Sequence, residues 1–128
     1  MIAFFRSRIA SFGHAFHGWA YVIRTQKNAW IHATLTTLVV ILAFWLQIPA
    51  RDWATLVLIT AVVWSAEFFN TAIEAVVDLA SPVHHPLAKV GKDVGAAAVL
   101  IAAGAAVLIG LLLLGPPLWN KLSPFFGF

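Results

Sequence analysis

The chain contains no cysteine, which excludes disulfides, thiolate metal sites and cysteine nucleophiles. Charge is scarce: Asp, Glu, Lys and Arg make up 10% of the 128 residues, where soluble domains carry about 25%. Hydrophobic residues make up 62%. A single small domain cannot hide that much apolar surface, so the composition points to lipid rather than water as its solvent. The net charge is +3, but the basic residues are scattered and form no stripe, so no nucleic-acid partner is expected. Also missing are a phosphate-cradling glycine loop, a G-x-S-x-G elbow and an H-E-x-x-H zinc motif. Neither an internal repeat nor a low-complexity linker stands out. Arg6, Arg8 and His14 interrupt the opening "MIAFFRSRIASFGHAFHGW", which is therefore not read as a signal peptide.

What is present is helical periodicity and long apolar runs. Ile2, Phe5, Ile9, Phe12, Phe16, Trp19 and Ile23 recur every three or four residues. They predict an amphipathic helix over 1–28 that lies along the membrane surface or packs on the protein's own helices. Three transmembrane helices are expected, at about 31–48, 53–80 and 93–114, in a single membrane domain 1–128. Ser81-Pro82 stops the second, "HHPLAKVGKD" reads as a polar loop, and "GPP" at 115–117 ends the third. The fold class is all-α membrane protein. Arg6, Arg8, Arg24, Lys27, Lys89 and Lys92 lie on one side of these spans, and Arg51 and Lys121 on the other. Six against two places the N-terminus in the cytoplasm.

The second span carries an unusual stripe. At 100° per residue Glu67, Asn70, Glu74 and Asp78 fall at about 0°, 300°, 340° and 20°, on one narrow face. If the helix enters the hydrocarbon near Trp53, Glu67 lies roughly 7 to 8 Å below the cytoplasmic boundary, Glu74 near it and Asp78 beyond it. Ionisable residues are costly inside a membrane and usually mark function. The bland alternative is interhelical glue, strongest for Asn70. Lys92 and Asp93, at the expected start of the third span beside Gly91 and Gly95, supply a lysine and a helix N-terminus suited to phosphate. Carboxylates able to hold Mg²⁺, a lysine and a helix start are parts that phosphoryl transfer uses. The residues thus suggest a membrane enzyme that moves a phosphoryl group to a lipid hydroxyl, with Glu67 taking the proton. His32, at the head of the first span, reads as a hydrogen-bonding partner rather than a ligand. Gly91-x-x-x-Gly95 and the alanine run after it read as a close-packing surface.

"EFFNTAIEAVVD" followed by "HPLAKVGKDVGAAAVL" resembles the signature of the small prokaryotic lipid kinases, the diacylglycerol kinase and undecaprenol kinase family. The resemblance covers about residues 10–115. It implies a homotrimer of three-span chains in the bacterial cytoplasmic (inner) membrane. It also implies transfer of the γ-phosphate of MgATP to a lipid alcohol, at sites between subunits. By that resemblance Glu67 is the catalytic base and Glu74 a metal ligand. Asn70, Asp78, Lys92 and Asp93 border the nucleotide. The family's second metal-binding glutamate, in a Glu-Lys/Arg-Asn pattern, is replaced here by Gln26 in "TQKN", and Trp30 stands where relatives carry a basic residue. A neutral carbonyl in place of a carboxylate predicts weaker Mg²⁺ binding. "SPVHHPLAK" and "KNAWIH" lean toward the undecaprenol branch. Two other readings stay open: a catalytically impaired homo-oligomer that keeps the fold, and a small proton or ion pathway through Glu67 and Asn70.

Overall fold

The computed structural model describes residues 1–126, apart from the side chains of residues 2–5 and 7. Four helices follow one another: α1 (Ile2–Thr25), α2 (Lys27–Leu46), α3 (Ala50–Ala80) and α4 (Pro86–Leu122). A short 3₁₀ turn at Ser123–Phe126 closes the described chain. Three of these helices, α2, α3 and α4, are long and apolar enough to cross a membrane.

A single extended residue, Gln26, separates α1 from α2, with φ −101° and ψ 117°. Its backbone N–H still bonds back to the Val22 carbonyl at 2.9 Å, so the chain bends there without a loop. Of the expected apolar stripe on α1, Ile2 and Phe5 lie outside the described side chains. Ile9, Phe12 and Phe16 are exposed in the single chain and Ile23 is half-buried, while the neighbouring Val22, outside that stripe, is buried. Trp19 packs on Trp64 and Phe68 of α3, with ring centroids 5.0 and 4.7 Å apart.

The α2–α3 connection is tight for a physical reason. Gln47 adopts the left-handed conformation at φ 55° and ψ 45°. The Ile48 N–H reaches the Ala43 carbonyl and the Gln47 N–H the Phe44 carbonyl, the paired bonds of a Schellman end. Ala43 and Ile48 then meet Leu46, Leu56 and Leu114 in a buried apolar cluster, flanked by Trp53 and Leu118. Asp52 in the first turn of α3 complements that helix's positive end.

Helix α4 departs from the sequence expectation at both ends. His85 caps it, its Nδ1 accepting the Leu87 N–H at 3.2 Å, and Pro86 occupies the first turn, where a missing N–H does no harm. "HHPLAKVGKD" is therefore mostly helix, and Lys92 and Asp93 stand nearly two turns inside it rather than at its start. The helix-terminus argument for phosphate binding at Lys92 accordingly falls away. At the far end the helix continues through Pro116 and Pro117 to Leu122. Beyond the prolines a contact to α2 holds this end in place: Lys121 Nζ donates to the Trp45 carbonyl at 2.6 Å and sits 4.5 Å from the Trp45 ring centroid. The most extensive helix pairing is α3 on α4.

Candidate active site

The buried face of α3 carries Leu56, Val63, Glu67, Asn70 and Thr71, a set spaced to lie along one side of a helix. Its first half is apolar and its second half polar. That switch builds the site at the end where the bend at Gln26, the C-terminal half of α3 and the first turns of α4 come together.

Glu67 is wholly buried, at 0% exposure. Neither carboxylate oxygen has a hydrogen-bond partner among the described residues. His32 of α2 faces it, with Nε2 3.7 Å from Glu67 Oε2, beyond hydrogen-bond range. The Thr71 hydroxyl, one turn on, donates to the Glu67 backbone carbonyl at 2.9 Å rather than to its side chain.

One to two turns further along α3, three predicted residues form a chain of contacts. Asn70 Nδ2 donates to Glu74 Oε1 at 3.0 Å, and Gln26 Nε2 donates to Glu74 Oε2 at 3.4 Å. Each Glu74 oxygen thus carries one amide donor, from its own helix and from the α1–α2 bend. Beyond them Lys92 Nζ pairs with Asp78 Oδ1 at 2.5 Å, joining α4 to α3. Asp93 is placed apart from this group, its carboxylate paired with Lys89 along the outside of α4 at 2.5 Å.

Gly95 fits this site more tightly than the small-residue pattern alone conveys. A Cβ built there would collide with Asn70 Oδ1, whereas one at Gly91 would meet only Val77 Cγ2 at an ordinary 3.7 Å. Gly95 is therefore the residue that lets Asn70 stand between α3 and α4. The spacing of the two glycines could not tell them apart. Nor could a reading along α3 find that His32 faces Glu67, because that contact joins different helices.

The donor set can be tested against a divalent ion. Among the described residues no three His, Cys, Asp or Glu side chains gather to hold a metal. Mg²⁺ does not need such a cage: it is commonly held by one or two carboxylates together with waters and substrate phosphates. Glu74 offers one carboxylate. A half-turn of the Gln26 amide exchanges its N–H for its carbonyl oxygen and adds a neutral ligand. The residues fit an ion that arrives with phosphates, with one anionic ligand fewer than two glutamates would give.

These features define a class first: an all-helical membrane protein that sets a buried carboxylate beside a polar cluster at one end of its spans. The family model for prokaryotic diacylglycerol kinase matches residues 13–114, and the chain belongs to that family. It is 40% identical over 108 residues to the undecaprenol kinase of Bacillus subtilis, covering 84% of this chain and 88% of that protein. It is 43% identical over 111 residues to a diacylglycerol kinase of Synechocystis sp., covering 86% of this chain but 63% of that protein. Against the diacylglycerol kinase of Escherichia coli K12 the identity is 42% over 101 residues, or 73% of this chain and 83% of the other.

Proposed function

We propose that this chain is an integral-membrane lipid kinase that transfers the γ-phosphate of ATP to a lipid alcohol, undecaprenol or diacylglycerol, at the cytoplasmic face. The observation that carries the reading is Glu67. A carboxylate with no exposure and no hydrogen bond to either oxygen among the described residues, about one helical turn from the Asn70–Glu74–Gln26 cluster, is poised for proton transfer.

In this reading the lipid hydroxyl enters from the membrane side of Glu67. Its oxygen attacks the γ-phosphorus, the bond from that phosphorus to the β,γ-bridging oxygen breaks, and ADP leaves. The hydroxyl proton passes to the Glu67 carboxylate. Asn70 holds Glu74 in place, and the Lys92–Asp78 pair borders the nucleotide, with Asp93 at its outer edge. Glu74 and Gln26 would hold Mg²⁺, which when bound neutralises charge on the phosphates. The six-to-two distribution of Lys and Arg supports a cytoplasmic N-terminus in the bacterial inner membrane. The family resemblance supports a homotrimer in which α1 lies on the membrane surface as an amphipathic helix.

The test is transfer of label from γ-labelled ATP in mixed micelles, with undecaprenol and diacylglycerol offered in parallel and Glu67→Gln as the control. Labelled lipid with wild type and none with the variant is the expected result. One observation favours a second reading, an impaired homo-oligomer that keeps the fold: Gln26 occupies Glu74 with an amide N–H where a second carboxylate would repel it. No labelled lipid from either alcohol, in a protein that still binds ATP, would select that reading.

A further inference from the structure

Four buried side-chain atoms among the described residues have no hydrogen-bond partner: His32 Nε2, both carboxylate oxygens of Glu67, and Asn70 Oδ1. Three of the four belong to one pair of side chains. Buried polar groups are rarely left unpaired, and such exceptions gather where a site is completed by something else.

The other polar neighbours on α3 are already committed. The Asn70 amide N–H goes to Glu74 and its Oδ1 rests against Gly95. The Thr71 hydroxyl goes to a backbone carbonyl. His32 is left as the side chain placed to donate to Glu67. Its imidazole is confined from the other side by Trp64, edge-on with centroids 6.2 Å apart and planes at 65°. Trp64 in turn is held by Trp19, 5.0 Å away. The 3.7 Å gap from His32 Nε2 to Glu67 Oε2 exceeds a normal bond of about 2.9 Å by less than an ångström.

We infer that His32 is a positioning residue: its Nε2–H donates to Glu67 Oε2 and leaves Oε1 as the single oxygen that meets the lipid hydroxyl. The inference rests on the reading of Glu67 as the base. A carboxylate with both oxygens free turns about its last torsion and presents either one. A carboxylate pinned by a charge-assisted bond presents one, in one direction. The helix that brings the bend at Gln26 to Glu74 thereby also orients the base, one turn and a half further along.

The test uses the full chain in mixed micelles. Steady-state lipid phosphorylation is measured for wild type, Glu67→Gln, His32→Leu, His32→Gln and His32→Asn. The ¹⁵N imidazole spectrum is recorded for wild type and Glu67→Gln, with His32 assigned by its loss in His32→Gln. Misplacing a reacting group by about an ångström can lower the rate about 100-fold, so His32→Leu is expected to lower kcat by about 10- to 100-fold with both KM values nearly unchanged. His32→Gln, whose amide nitrogen falls where Nε2 was, recovers most of the loss; His32→Asn, whose amide falls where Nδ1 was, does not. The His32 resonance shows a protonated Nε2 and moves in Glu67→Gln. Wild-type kcat in His32→Leu, a loss that His32→Gln fails to relieve, or a resonance indifferent to Glu67 overturns the inference while leaving Glu67 as the base. A wild type that labels no lipid, or a fully active Glu67→Gln, overturns the reading beneath it and the inference together.

Discussion

The two ends of the helical bundle are built by opposite means. At the end where α2 turns into α3, Ala43, Leu46, Ile48, Leu56 and Leu114 close an apolar cluster. The carbonyls at the end of α2 find partners, through the Schellman bonds and through Lys121 on Trp45. At the other end Glu67 is as deeply enclosed and His32 is half-buried beside it, yet both Glu67 carboxylate oxygens and His32 Nε2 have no hydrogen-bond partner among the described residues. One end spends its burial on order. The other keeps buried polar groups open, a state that stability alone does not favour. The contrast teaches where to look for chemistry in a chain that is greasy throughout: at burial without satisfaction.

If the contrast is right, substitutions at the two ends should separate activity from stability. The largest expected effect is Glu67→Gln, which should lower lipid phosphorylation by about 10²- to 10⁴-fold with little change in the unfolding midpoint in detergent. A parallel fall in both would erase the distinction. Gly95→Ala should come next, because its new methyl drives into Asn70 Oδ1. Overpacking of about 1–3 kcal/mol should appear chiefly as lost activity, checked by kinetics beside thermal unfolding. Retained kinetics would mean that Asn70 moves aside freely.

Leu56→Ala probes the apolar end. Core Leu→Ala changes cost about 2–5 kcal/mol in water-soluble proteins. In lipid the lower end of that range is expected, because the unfolded reference already sits among apolar chains. Activity per folded molecule should stay near wild type. Gln26→Glu tests the polar end from the other direction. It restores an anionic ligand beside Glu74 and should lower the Mg²⁺ concentration for half-maximal activity by about tenfold, read from a metal titration at fixed ATP. The smallest effect belongs to Gln47→Gly. Relief of a left-handed backbone, worth about 1–2 kcal/mol, is offset by glycine's added freedom when unfolded, about 0.5–1 kcal/mol. A net gain of several tenths of a kcal/mol is expected in the same unfolding assay.

Much of this was legible in the residues, and for identifiable reasons. Long apolar runs reveal membrane-spanning helices because the bilayer sets their minimum length. The Glu67–Asn70–Glu74–Asp78 stripe emerged because a helix fixes which positions share a face. Helix ends were harder. Pro116 and Pro117 read as a stop, yet a tertiary contact from Lys121 to α2 stands beyond them. His85 read as part of a loop, yet it caps α4. Contacts between helices were invisible. Nothing in "TQKN" announces that Gln26 meets Glu74, and nothing in "WIH" announces that His32 faces Glu67. Those pairings depend on how helices cross, which one chain's periodicity does not encode.

The helices also differ in length, and that has a consequence for the membrane around them. At 1.5 Å per residue α2, with 20 residues, is about 30 Å long, and α4, with 37 residues, is about 55 Å. The first matches the hydrocarbon layer; the second exceeds even the headgroup-to-headgroup distance of about 40–45 Å. Helix α2 is tethered at both ends, at the Gln26 bend and through Trp45. Held in this way, α2 would set the bilayer thickness that the polar cluster accepts, and α4 would tilt or overhang to accommodate it. A bilayer thicker than α2 would draw the Gln26 bend away from Glu74, so acyl-chain length alone should tune how well the polar cluster holds together.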